Sequence, residues 1–145
     1  MGSRVRAVLV TPRGRLLTIK RVRAGAEPYW VLPGGGVEAS DASLEAALRR
    51  EVLEEVGGHA VIGRLLRVVR GEHFFLARID TWDPVRRSGP EFADPANGAY
   101  LLEEIPAEML GRVNLQPESI VELVVAELLG LEPGRAPAAA RRPVE

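Results

Sequence analysis

Three glutamates, Glu51, Glu54 and Glu55, stand in one short stretch, Arg50-Glu51-Val52-Leu53-Glu54-Glu55-Val56-Gly57. In a helix, 100° per residue gathers their carboxylates into an arc of about 100°. Like charges at this spacing destabilise an isolated helix by roughly a few tenths of a kcal/mol per pair. They also lie toward its C-terminal end, where the dipole disfavours negative charge. A hard divalent cation removes both penalties. Mg2+ takes oxygen ligands, keeps part of its water, and shares its other positions between carboxylates and substrate phosphates. Without a metal, the same face is a solvated acidic helix surface. The run Gly34-Gly35-Gly36 favours the metal. Consecutive glycines are poor core packing but permit positive φ and close approach. Gly35 and Gly36 can then bring backbone groups to a metal or to phosphates, and Glu38 offers another oxygen. Arg50 is too near Glu51 along the helix to face it directly, but it can brace Glu54 at i+4.

Residues 43–56 must be the helix that carries this face. They are rich in Ala, Leu, Glu and Arg, with Ser43 as a cap (Ser40 and Asp41 are alternatives) and Gly57-Gly58 as a stop. Val52, Leu53 and Val56, with Leu48 at the boundary, form the side expected to pack on a sheet. Before the helix, residues 5–11 and 16–20 read as a hairpin around the turn 12–15, and 29–32 as a short β-prone piece. After it, 60–70 and 73–80 read as strands, 81–98 as a long loop, 99–103 as a late strand and 105–110 as a turn or short helix. Residues 117–129 read as a second helix, with Ile120, Val121, Val124, Leu128 and Leu129 on its apolar side and Pro117 in its first turn. This order predicts an α/β fold, a mixed β-sheet between helices, within one domain over 1–131. Residues 132–145 hold one large apolar residue, Val144, and are expected to stay disordered as a tail.

Composition removes several function classes. The 145 residues include no cysteine, so disulfides, thiolate metal sites and cysteine nucleophiles are excluded. With 19 basic against 20 acidic side chains the net charge is −1, which gives no reason to expect a nucleic-acid partner. No apolar run approaches the length of a membrane span. The first residues read as a strand rather than a leader, so a cytoplasmic location is expected.

Gly35-Gly36-Val37-Glu38 followed by Arg50-Glu51-Val52-Leu53-Glu54-Glu55-Val56-Gly57 resembles the Nudix box. That motif is Gly, five residues, Glu, seven residues, then Arg-Glu-apolar-any-Glu-Glu-any-Gly and an apolar residue. There are two departures. Counting from Gly36 puts the isolated acid on Ala42. Counting from Gly35 puts it on Asp41, with a following gap one residue too long. The last apolar position is Gly58. The resemblance implies a Nudix-like αβα sandwich and hydrolysis of a pyrophosphate bond in a nucleoside diphosphate linked to another moiety. A nucleoside triphosphate is the leading substrate; ADP-ribose, a nucleotide sugar, or non-catalytic nucleotide binding are the alternatives. It assigns Mg2+, with Mn2+ as a substitute, to Glu51, Glu54 and Glu55. Catalysis falls to Glu54, Glu55, Glu51 and Arg50, and Gly35, Gly36 and Glu38 line the ligand.

In some members of that family the base is a glutamate on a later loop, for which Glu91, Glu103 and Glu104 are candidates. Glu72 and His73 are near enough in sequence to a turn to be considered too. Arg4, Arg6, Lys20, Arg21 and Arg23 are candidates for phosphate contacts. Tyr29, Trp30, Phe74, Phe92 and Tyr100 are candidates for stacking on a base. The expected partner is a nucleotide-type small molecule, and a homodimer is left open.

Overall fold

Val5, Ala7 and Leu9 of the first strand pack into one core while Val8, between them, packs into another. This alternation is the two-residue period of a strand buried on both faces. The computed structural model describes residues 2–88 and 95–130. Its elements in chain order are β1 (Arg4–Val10), β2 (Leu16–Val22), β3 (Tyr29–Val31), β4 (Gly34–Gly36), α1 (Leu44–Val56), β5 (Ala60–Val69), β6 (Glu72–Ile79), β7 (Ala99–Ile105), β8 (Leu115–Gln116) and α2 (Val121–Leu129). Strands run in the order β5-β6-β1-β2-β3-β8, with β4 also on β1 and β7 also on β2. β1–β6 and β3–β8 are parallel and the other pairs antiparallel, so the sheet is mixed as expected.

The helices lie on opposite faces. Ala47, Leu48, Val52 and Val56 of α1 join Val5, Leu9, Leu17, Phe75 and Ile79 in one core. Ile120 and Val124 join Val8, Leu16, Leu32, Phe74 and Leu115 in the other. Leu53, expected on the packed side of α1, is 36% exposed. Ala47 takes its place, because the buried stripe follows positions 47, 48, 52 and 56. Residues 118–120 form a 3-10 turn ahead of α2, Pro117 sits outside it, and Leu129 is exposed, so the second helix is shorter than its sequence pattern. The segment 81–98 is not wholly irregular: Pro84–Arg86 and Pro95–Asn97 are 3-10 turns. The tail 132–145 lies outside the described residues.

The two central strands separate to make room for a site. β1 and β2 pair at Val10↔Leu16, beside their turn. Farther along, β4 takes the edge of β1 from Arg4↔Gly36 to Arg6↔Gly34. β3 takes the edge of β2 from Ile19↔Val31 to Arg21↔Tyr29. The glycine run is therefore a strand with Gly34 and Gly35 buried, not a loop. Glycine is required at 34 because a Cβ there would lie 2.0 Å from the Val5 carbonyl oxygen, at φ +151°.

Candidate functional site

Ser43 caps α1 by accepting from the Ala46 amide at 3.0 Å, and Gly57 ends it in the left-handed conformation at φ 73°. Between these limits the acidic face of α1 lies against β4, and each acid is held differently. Glu55 Oε1 accepts the Gly34 amide at 2.8 Å. The Glu51 carboxylate occupies the space above Gly35, where an added Cβ would come within 2.6 Å of Oε2. Glu54 is 31% exposed, with both oxygens 3.5 Å from Arg50 Nη1.

Arg50 is the hub of this face, and it does reach Glu51, at 3.3 Å, contrary to the expectation from sequence spacing. A long side chain that folds back over β4 escapes the angular separation of neighbouring helix positions. Its Nε and Nη2 donate to the two oxygens of Asp41 at 3.0 and 2.9 Å, Nη2 also donates to the Gly36 carbonyl at 3.1 Å, and Glu38 lies 3.6 Å from Nη1. Asp41, not the exposed Ala42, is thus the residue that partners Arg50. The surrounding carboxylates hold the Arg50 guanidinium charged, its pKa raised first by the Asp41 hydrogen bond. The same bond, with the Glu38 amide, holds the Asp41 carboxyl below its ordinary range.

Because the folded Asp41 pKa lies below the unfolded value of 3.8, the ion pair stabilises the fold at every pH above the ordinary carboxylate range. That stability is lost as the pH falls through the lowered value. We expect Asp41→Asn to melt below the wild type by a constant margin from neutral pH down to about pH 5, a margin that closes below about pH 4. Melting curves across that range check it; a margin that grows on acidification contradicts it.

Glu51, Glu54 and Glu55 are oxygen-only donors on successive turns, a set suited to a hard cation. They do not crowd onto one point: among the described residues no group of three or more acidic or histidine side chains is already assembled to hold an ion. Arg50, the Gly34 amide and the space over Gly35 separate them. Gly35→Ala is therefore expected to push the Glu51 carboxylate aside and lower turnover by about threefold to tenfold. The melting temperature should hardly change, since the obstruction is the flexible end of a side chain. Steady-state kinetics beside a thermal melt test this, and unchanged turnover would contradict it.

A cavity of about 360 Å3 opens beside Glu55 and Gly34, in the gap between β1–β4 and β2–β3. Arg4, Arg6, Arg21, Tyr29 and Tyr100 line it. Arg6 is anchored to Glu72 at 2.7 Å and to the Leu32 carbonyl at 3.0 Å. The Arg21 guanidinium lies over the Tyr100 ring, 3.8 Å from its centroid, so that ring face is already covered. A larger cavity of about 510 Å3 lies on the opposite face beside α2, but among the described residues Glu118 and Glu122 are its only charged lining. It offers phosphates no cation, so the smaller cavity is the better candidate.

Other sequence candidates are placed elsewhere. Phe74 is fully buried in the core on the α2 side, because β6 turns that residue inward. Trp30 carries Lys20 over its ring and donates Nε1–H to Glu103 at 2.8 Å, so these three are engaged with one another. Glu72 is engaged by Arg6, and His73 Nδ1 lies 3.3 Å from the Arg4 carbonyl oxygen. Arg23 is exposed and does not line the cavity. Glu104 pairs across β2 with Leu17, on the face of Ile19 and Arg21, and its Oε1 is buried without a hydrogen-bond partner among the described residues. Glu91 and Phe92 lie outside the described residues. Sequence reasoning did not single out Arg87, which donates to the main-chain carbonyls of Glu55 and Tyr100 at 2.7 and 2.6 Å. Its only signal is a position in a loop rich in charge and proline, which names no partner.

The family model described as NUDIX domain matches residues 2–126. No curated protein matches the chain. Among solved structures, a MutT from work on Aliivibrio salmonicida and Vibrio cholerae is 19% identical, with a TM-score of 0.58, over 87% of this chain and 98% of that one. An ADP-ribose pyrophosphatase from Streptococcus suis is 17% identical, with a TM-score of 0.62, over 87% and 90%. A UDP-X diphosphatase is 18% identical, with a TM-score of 0.62, over 92% and 65%. At these identities the likeness is one of fold.

Proposed function

Because this chain belongs to the Nudix family and is a Nudix hydrolase, we propose that it uses Mg2+ to cut the pyrophosphate bond of a nucleoside triphosphate, releasing a monophosphate and pyrophosphate. Nudix hydrolases generally use divalent metal ions, and Mn2+ is the natural substitute in an all-oxygen site. The observation that carries the proposal is the meeting of two unlike surfaces at Glu55. On one side lies the acidic face of α1, and on the other a cavity with Arg4, Arg6 and Arg21 on its wall.

Glu51, Glu54 and Glu55 would hold the cation. When bound, it neutralises phosphate oxygens and acidifies water in the site. The chain's own residues do the rest. Arg50, tied to Asp41 and Gly36, keeps Glu51 and Glu54 at a fixed height over β4. Gly35 leaves the Glu51 carboxylate the space it occupies. Glu54, more exposed than Glu51, would orient or deprotonate water. Glu104 is the later-strand candidate for that role, since its buried Oε1 has no hydrogen-bond partner among the described residues and it shares a face with Arg21. Arg4 and Arg6 offer donors to phosphates, and Arg21, stacked on Tyr100, offers a flat cationic surface to a base.

An ADP-ribose or nucleotide-sugar substrate is the second reading, favoured by the same row of arginines, which suits any diphosphate bridge. Incubating the protein with Mg2+ and a panel of nucleoside triphosphates, ADP-ribose and nucleotide sugars, scored by product mass, separates these readings. Pyrophosphate from a triphosphate supports the first. A nucleoside monophosphate with a sugar phosphate supports the second. Binding with no metal-dependent product from any compound overturns both. Among the described residues no helix is long and apolar enough to cross a membrane.

A further inference from the structure

The C-terminal end of α1 carries two of the three metal-face acids but no basic residue in its last turn. Its terminal carbonyls are met instead by the segment that follows β6. The Asp83 amide donates to the Gly57 carbonyl at 3.1 Å and the Ser88 amide to the Glu54 carbonyl at 3.0 Å. Between them, Arg87 Nε donates to the Glu55 carbonyl at 2.7 Å and Nη1 to the Tyr100 carbonyl at 2.6 Å. Arg87 thus places a cation where the helix dipole and the glutamates call for one. Its planar fork links the last turn of α1 to β7.

We infer that Arg87 is a positioning residue: it clamps the last turn of α1 to β7 and so sets where the Glu55 carboxylate meets the cavity. Glu55 is held at both ends. Its main-chain oxygen is fixed by Arg87, and its side chain reaches down to the Gly34 amide. Tyr100, whose carbonyl Arg87 also holds, presents the ring that carries Arg21 on the cavity wall. One guanidinium therefore sets the acidic face and the cavity wall in register. Lysine cannot reproduce this, because its ammonium is a single point rather than a fork with fixed donor directions.

The inference rests on the proposed role of Glu55, so the experiment tests the two separately. Arg87→Lys, Arg87→Ala and Glu55→Gln are compared with the wild type for kcat, KM, Mg2+ dependence and Mn2+ affinity by electron paramagnetic resonance, on samples whose folding is checked by circular dichroism. Arg87→Lys is expected to lose about tenfold in kcat with KM within about twofold, and to bind Mn2+ several-fold more weakly. Added guanidinium ion should restore part of the kcat of Arg87→Ala but none of that of Glu55→Gln. Wild-type kcat and Mn2+ affinity in Arg87→Lys, or a loss confined to KM, overturns the inference. If Glu55→Gln also keeps full turnover, the reading of the site itself has failed; if only Glu55→Gln is impaired, the site stands and the role of Arg87 falls.

Discussion

Glu54→Gln is expected to lower kcat by at least about tenfold and to raise the Mg2+ concentration needed for half-maximal turnover, while the fold survives. The change is nearly isosteric and removes one charge. Glu54 is 31% exposed, and its carboxylate contacts Arg50 at the long distance of 3.5 Å. Arg50 keeps its shorter bonds to Asp41 and Gly36 in the variant, so little of the framework depends on Glu54. What is lost is an anion that can bind a cation or polarise water. The melting temperature should stay within about 4 °C of the wild type, as a change of under 1 kcal/mol implies. Full turnover with ordinary Mg2+ dependence in steady-state assays would remove Glu54 from the mechanism.

Arg50→Met is expected to be the most damaging single change on the acidic face, lowering the melting temperature and costing more than about tenfold in turnover. Arg50 is 23% exposed, and Glu38, Asp41, Glu51 and Glu54 all lie within 3.6 Å of its nitrogens. Asp41 is only 6% exposed beside Arg50, so its carboxylate would lose its cation and keep the Glu38 amide as its remaining donor. The Gly36 carbonyl would lose a donor as well. Methionine keeps much of the aliphatic stem, so the loss measures the guanidinium rather than a cavity. Because the variant's acids repel one another, Mg2+ should raise its melting temperature more than it raises that of the wild type, through binding to the folded state alone. Denaturant unfolding with and without Mg2+ reads both effects. Equal stability of variant and wild type would show that Arg50 does not organise this face.

The helix and its acids were legible in the sequence because their pattern is local. Ser43, the apolar positions 48, 52 and 56, and Gly57 each act within a turn or two of their neighbours. The helix-on-both-faces arrangement was legible from the order of elements. What escaped depends on contacts distant in the chain. Gly34-Gly35-Gly36 has no side chains to show a strand period, and it becomes β4 because β1 splays from β2 and leaves an edge open. Arg50 could be assigned a partner at i+4 by helix geometry, but not Asp41, which reaches it from a connector of irregular backbone. Phe74 and Tyr100 looked alike as aromatics in short strands. One is buried in the core and the other borders the cavity, a difference set by which way each strand faces. Arg87 could not have been chosen over its neighbour Arg86, since only the tertiary fold brings the Glu55 and Tyr100 carbonyls together.

The direct measurement is a crystal of the protein grown with Mn2+ and a non-hydrolysable nucleoside triphosphate analogue, with the metal located by its anomalous scattering. Our reading requires manganese peaks within coordination distance of Glu51, Glu54 or Glu55 and of the analogue's phosphate oxygens, with the nucleoside in the gap between β1–β4 and β2–β3. Manganese bound elsewhere, with all three carboxylates turned from both metal and phosphates, would contradict it.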